Sequence, residues 1–141
     1  LIGEQFLCRI AFMGENHPYI APFHYIFMNR TLYFHFTDYG RKMKLFKKDK
    51  QVCVEIEKYK PDLSEYMFVV LRGTLNVVTD PLEREQVIRR MADQGKRMLS
   101  ENFLPAHGLR KEEGWSLFTP EKPLIILKLE KLVEQMGLRS P

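Results

Sequence analysis

Thr31–Glu57 reads TLYFHFTDYGRKMKLFKKDKQVCVEIE, and its parts decide the fold. Thr31–Phe36 alternates, with Leu32, Phe34 and Phe36 on one face and Tyr33 and His35 on the other, as a strand with one buried face does. Thr37–Asp38–Tyr39–Gly40 turns the chain, and a short basic helix opens on Arg41 and Lys42. Lys50–Tyr59 alternates again, with Val52, Val54 and Ile56 set against Cys53, Glu55 and Glu57. The junction at Gly40 has the makings of an anion site. A helix N-terminus offers unpaired N–H groups and the positive end of the helix dipole. Gly40 permits close backbone approach, and Arg41 and Lys42 add two cations, the arginine with a fork suited to phosphate. A phosphate-bearing ligand is the economical reading.

Upstream, Phe6–Met13 is an apolar run ending in the turn signal Gly14–Glu15–Asn16–His17. Pro18–Met28 is a second strand, with Pro18 tolerated at its first position. Asn29–Arg30 makes a two-residue hairpin connection to the Thr31 strand, since Asn accepts left-handed backbone. Downstream, Tyr66–Thr79 is long, and Gly73 marks a bulge that bends it. Asp80 caps a second helix, with Pro81 as its first residue, Glu83 completing a capping box, and Val87, Ile88, Met91 and Met98 at helical spacing. Leu104–Gly114 reads as a loop broken by Pro105 and Gly108. Pro123–Lys131 is the last strand, and Leu132–Leu138 either continues it or turns into a helical end.

Six hairpin-linked strands with one interposed helix, and a strand returning at the end, predict a mainly β chain: a six-stranded antiparallel split β-barrel with flanking helices. Pro18–Met28 is apolar on both faces. One face lines the core, and the other needs covering by a ligand or a second subunit.

At 141 residues, the segment 1–141 is expected to form a single domain with a sizeable core. Its 45% hydrophobic and 12% aromatic content excludes a disordered chain. The net charge of +4 and pI of about 9.1 are mild and concentrated between Arg41 and Lys50, which speaks against a nucleic-acid-binding surface. Cys8 and Cys53 sit in apolar strands and are expected to be reduced thiols in a cytoplasmic protein. No apolar run approaches the ~18 residues of a membrane span. The chain opens at Leu1, without methionine, in what reads as the end of a helix, so a truncated N-terminal helix is expected. His17, His24, His35 and His107 show no ligand spacing, and no metal site is expected. Ser64, Ser100, Ser116 and Ser140 lack a nucleophile elbow.

Composition alone treats Arg41 and Lys42 as solvated helix residues, like Lys44, Lys47, Lys48 and Lys50. It treats His35 as a structural strand histidine. A family likeness changes the first reading. His17–Pro18–Tyr19–Ile20–Ala21–Pro22, followed by Tyr33–Phe34–His35–Phe36–Thr37 and Gly40–Arg41–Lys42, resembles the pyridoxamine-phosphate-oxidase-like FMN-binding split barrels. The nearest branch is that of nitroimidazole-resistance-type flavoproteins and flavin-nucleotide-binding proteins. The likeness extends to Arg72–Gly73 and to Asp80–Pro81–Leu82–Glu83, covering about Phe6 to Lys131.

The resemblance implies FMN bound between the subunits of a homodimer. Ile20, Ala21, Pro22 and Phe23 would pass along the isoalloxazine ring. His35, Phe36 and Thr37 would line the phosphoribityl chain, and Arg41 with Lys42 would hold the phosphate. His24 would face either the ring or the dimer partner. The tryptophan strand ending in a substrate-binding arginine, found in true pyridoxamine-phosphate oxidases, is not recognisable here, which argues against vitamin B6 synthesis. The resemblance thus implies an FMN-dependent oxidoreductase acting on a small electron-poor organic substrate, with no assignable catalytic acid or base. Related barrels bind deazaflavin or haem instead, and a non-enzymatic flavin carrier or sensor fits the same residues. Neither nucleic acid nor membrane is an expected partner.

Overall fold

A computed structural model of the chain describes residues 1–107, 114–115 and 118–141. Six strands, β1 (Leu7–Phe12), β2 (Tyr19–Met28), β3 (Thr31–Phe36), β4 (Gln51–Tyr59), β5 (Tyr66–Val77) and β6 (Ile125–Arg139), close into an antiparallel barrel in the order β1-β2-β3-β6-β5-β4. Helix α1 (Arg41–Lys48) links β3 to β4, and α2 (Pro81–Met98) lies between β5 and β6. The expected six-stranded split barrel is the fold that forms.

Local chemistry accounts for the turns. Asn29 and Arg30 have φ of 52° and 61°, the left-handed pair that a two-residue hairpin needs to match strand twist. Asp80 accepts the Glu83 N–H at 3.3 Å, and Pro81 occupies the first helical position, as expected. The reciprocal half of the capping box is not what Glu83 does. Its carboxylate accepts from Tyr33 Oη at 2.7 Å and from Lys128 Nζ at 3.1 Å. Tying α2 to the outer face of β3 and β6 satisfies that carboxylate with a cation, a stronger partner than a backbone N–H.

The alternation of β3 and β4 is realised. Leu32, Phe34, Phe36, Val52, Val54 and Ile56 fill the barrel interior together with Ile10, Phe12, Phe23 and Leu75. A second core lies outside the barrel, where Val87, Ile88, Met91 and Ala92 of α2 pack on Ile26, Met28, Tyr33 and Ile126. This layer corrects the reading of β2. Half of its second face, His24, Ile26 and Met28, is buried by this outer layer, while Ile20 is 61% exposed and Pro22 is also exposed.

β6 continues as a strand past Lys131, the first of the two alternatives for Leu132–Leu138. Its start pairs with β3, and from Leu129 onward it pairs with β5 alone. At the split, the register shifts between Arg72 and Thr74, and Lys131 takes φ 51°. Gly73 is the expected bulge. A Cβ there would sit 2.7 Å from the Glu130 carbonyl oxygen, which is backbone and cannot swing aside. Gly73→Val is therefore expected to cost about 1–3 kcal/mol in urea denaturation; an unchanged midpoint would show that the bulge can open.

The segment expected to be a loop begins otherwise. Glu101–His107 is a 3-10 helix with Pro105 inside it, a common form for a short connector. Gly108 and Ser116 lie outside the described residues. Cys8 is buried and Cys53 half-buried, both as free thiols. No described helix is long and apolar enough to cross a membrane.

Candidate functional site

The open end of the β2–β3 hairpin meets the start of α1 at a cavity of about 170 Å³. It is lined by Pro22, Phe23 and His24 from β2, His35, Phe36 and Thr37 from the end of β3, Lys42 from α1, and Phe103 from the 3-10 helix. Six of the nine residues expected at a cofactor site are thus brought together. Three are not. Ala21 points into the barrel core, Ile20 stands exposed beyond the cavity, and Arg41 lines a neighbouring hollow.

Lys42 carries the charge of this cavity. Its Nζ lies 4.5 Å from the centroid of the Phe23 ring, and burial holds its pKa below the usual lysine value. The same ring stacks on Phe36 at 4.8 Å, so the ammonium sits on a rigid aromatic floor. Arg41 instead lies 5.3 Å from the Tyr19 ring. The two cations of the Arg–Lys pair therefore serve different surfaces.

Gly40 precedes α1 with φ 92°, and no side chain caps the helix. A Cβ at Gly40 would meet nothing within 4 Å, so the glycine is required by its backbone angle and not by crowding. The Thr37 hydroxyl donates to the Tyr39 carbonyl at 2.9 Å, which closes the turn. Its oxygen keeps accepting capacity only, so Thr37 shapes the site more than it donates to a ligand.

His24 and His35 lie one step beyond the paired Tyr25 and Phe34, on the outer face. The Nε2–H of His24 donates to Gln94 Oε1 at 2.6 Å, which turns this imidazole towards α2. Phe118 meets the His35 ring edge-on at 5.1 Å. Burial lowers the pKa of both, and with the neighbouring His24 it brings His35 down to about 4. Both are neutral at pH 7. Phe103, 6.0 Å from His24 by ring centroids, was not legible in the sequence, because a lone aromatic between breakers carries no spacing signal. Gln94 shares the buried side of α2 with Met91, but glutamine at that position gave no chemical cue.

A family model described as pyridoxamine 5'-phosphate oxidase matches residues 1–111. The chain belongs to the pyridoxamine 5'-phosphate oxidase family. Among solved structures, an FAD-binding protein of Mesorhizobium loti is 14% identical, with 99% of this chain and 90% of that chain covered at a TM-score of 0.69. A putative 5-nitroimidazole antibiotic resistance protein of Bacteroides thetaiotaomicron is 17% identical, with 96% and 78% covered at 0.63. HutZ, a haem storage protein of Vibrio cholerae, is 13% identical, with 94% and 86% covered at 0.65. At these identities the likeness is one of fold. A comparison with curated proteins gave no match.

The donor set of this family member suits an anion. The cavity combines a desolvated ammonium, an uncapped helix start and neutral imidazoles, with no carboxylate among its lining residues. Among the described residues, no group of three or more His, Cys, Asp and Glu could hold a metal ion.

Proposed function

We propose that the protein binds a flavin nucleotide through its FMN moiety and acts as an oxidoreductase on a small electron-poor compound such as a quinone or nitroaromatic. The observation that carries this reading is the size and charge of the Lys42 cavity. At about 170 Å³ it falls short of the roughly 300–1,000 Å³ of sites that enclose a whole ligand. It can take a phosphate and part of the ribityl chain. The ring would then lie outside it, on the exposed outer surface at Ile20 and Pro22, where backbone groups of Ile20–Phe23 come within reach.

The bound flavin would supply the electron transfer. The chain's part is to anchor and orient it. Lys42 and the first turn of α1 hold the phosphate away from the redox centre, Phe36 and His35 wall the chain, and Pro22 offers a flat apolar contact without an N–H. Relatives described as FAD-binding, from Mesorhizobium loti and Mycobacterium smegmatis, support a flavin. The haem storage relative keeps a second cofactor in view. Absorbance of the purified protein separates them, since flavin bands are expected and a haem band would overturn the assignment. The free thiols Cys8 and Cys53 suit the reducing cytoplasm.

We place the ring between two copies of the chain. Ile20 is not covered within one chain, and Val133, Met136 and Leu138 are exposed on the part of β6 that has left β3. Such apolar surface is characteristic of an interface. The protein should sediment as a dimer, and dilution to monomer should release flavin, read as recovered flavin fluorescence. A monomer that keeps its flavin would exclude the shared site.

A further inference from the structure

Arg84, in the first turn of α2, lays its guanidinium on the backbone of residues 118–124, which lead into β6. It donates to the carbonyls of Pro120 at 2.8 Å, Lys122 at 2.7 Å and Leu124 at 2.9 Å. Among the described residues it forms no ion pair, so the fork serves the backbone alone. A planar group with five fixed donors can span three carbonyls at once, which neither a lysine nor a glutamine can do.

A second fastening lies on the same face of α2. Gly95 follows Arg84 by close to three helical turns of about 3.6 residues each. The indole of Trp115 rests there against bare backbone, since a Cβ on Gly95 would come within 2.4 Å of the ring. Trp115 and Phe118 are both buried, with ring centroids 5.9 Å apart, and the Phe118 N–H donates to the Trp115 carbonyl at 3.0 Å. Each ring meets one histidine of the Lys42 cavity edge-on. Phe118 meets His35 at 5.1 Å, and Trp115 meets His24 at 6.3 Å. None of Arg84, Gly95, Trp115 and Phe118 lines the cavity itself.

We infer that Arg84 and Gly95 are positioning residues for the cofactor: through Phe118 and Trp115 they hold His35 and His24 as the fixed back wall of the cavity. The inference rests on the flavin reading above and adds to it the parts of α2 that set the site's shape. A wall held before the ligand arrives has no side-chain freedom left to lose on binding. The same arrangement gives a reason for a glycine in the middle of α2, where alanine would favour the helix more.

The test is titration of the flavin-free protein with FMN and with riboflavin, read by quenching of flavin fluorescence, beside NMR spectra of the histidine rings. Arg84→Gln and Gly95→Ala are each expected to raise the Kd of both ligands by about tenfold, because two imidazoles must then be immobilised at binding. Both should also shift the ring signals of His24 and His35 before any flavin is added. Weakening of both ligands in the same ratio sets these variants apart from loss of a phosphate contact, which spares riboflavin. Val54→Ala, which lowers stability from inside the barrel, should leave affinities and histidine signals as they are. Unchanged Kd values in both α2 variants, or equal weakening by Val54→Ala, would overturn the inference and leave the flavin reading standing. Should the unaltered protein bind no flavin, that reading falls by itself, and unshifted histidine signals in both variants would then overturn the positioning role as well.

Discussion

Lys42→Ala is expected to raise the Kd for FMN by about 10- to 100-fold, the loss of one charged hydrogen bond in a partly desolvated site, and to leave riboflavin within about twofold. The selectivity follows from position. Lys42 lines the cavity together with His35 and Thr37, whereas Ile20, where the ring is placed, stands exposed outside it. A ligand without phosphate has nothing to offer its ammonium. Arg41→Ala should also weaken FMN more than riboflavin, but by less than Lys42→Ala, because Arg41 lines the neighbouring hollow and rests near Tyr19. Lys44→Ala should leave both affinities nearly unchanged. Isothermal titration with the two ligands decides the matter. Equal weakening of FMN and riboflavin by Lys42→Ala would contradict a phosphate at this lysine.

The second large effect is acid sensitivity without a catalytic origin. His35 titrates at about 4 in the folded protein, chiefly because it is buried, against an ordinary value of 6.5. Between those two values the unfolded chain binds a proton that the folded chain does not, so stability falls as pH drops from 6.5 to 4 and levels off below. The full contribution is about 3 kcal/mol. His24 is shifted in the same direction, also by burial, and adds to the same acid limb. Urea denaturation at pH 7 and at pH 4.5 should show this loss. His35→Asn, which cannot titrate, should flatten the limb even if it lowers stability at pH 7. A limb of unchanged depth in that variant would mean that other groups cause it.

Much of the fold was legible because its signals are local. A period of two in Thr31–Phe36 and Lys50–Tyr59 states which side chains face inward, and no distant residue needs to be known for that. Asn29–Arg30, Gly73 and Asp80–Pro81 mark backbone geometries that few residues adopt. The strand part of the site was legible for a related reason. Pro22, Phe23, His35, Phe36 and Thr37 belong to adjacent strands of one hairpin and meet at its open end, and Lys42 follows a turn that Gly40 dictates.

Partners contributed by distant segments were not legible. Glu83 looked like a capping residue because Asp80 is three positions away, yet Tyr33 and Lys128 are what its carboxylate meets. His24 faced two open possibilities in sequence, and neither included the bond it makes to Gln94, which α2 brings across β2. The double-sided apolar character of Pro18–Met28 was read as a demand for cover by a ligand or a second subunit, and at Ile26 and Met28 this chain's own α2 supplies the cover. Which half is covered by this chain's outer core depends on where α2 lands, and that placement is set by its packing on Ile26, Met28, Tyr33 and Ile126.

Arg41 and Lys42 show the boundary most clearly. As neighbours in sequence they form one basic pair, and composition cannot separate them. Successive residues of a helix point about 100° apart, so once α1 is docked by Met43 and Phe46, one cation faces the cavity and the other the neighbouring hollow. The sequence by itself determined the strands, the turns and the positive charge at the start of α1, because these depend on each residue and its immediate neighbours. The tertiary structure alone decided which surface each charge serves and which faces are buried, because those depend on how separately encoded elements pack together.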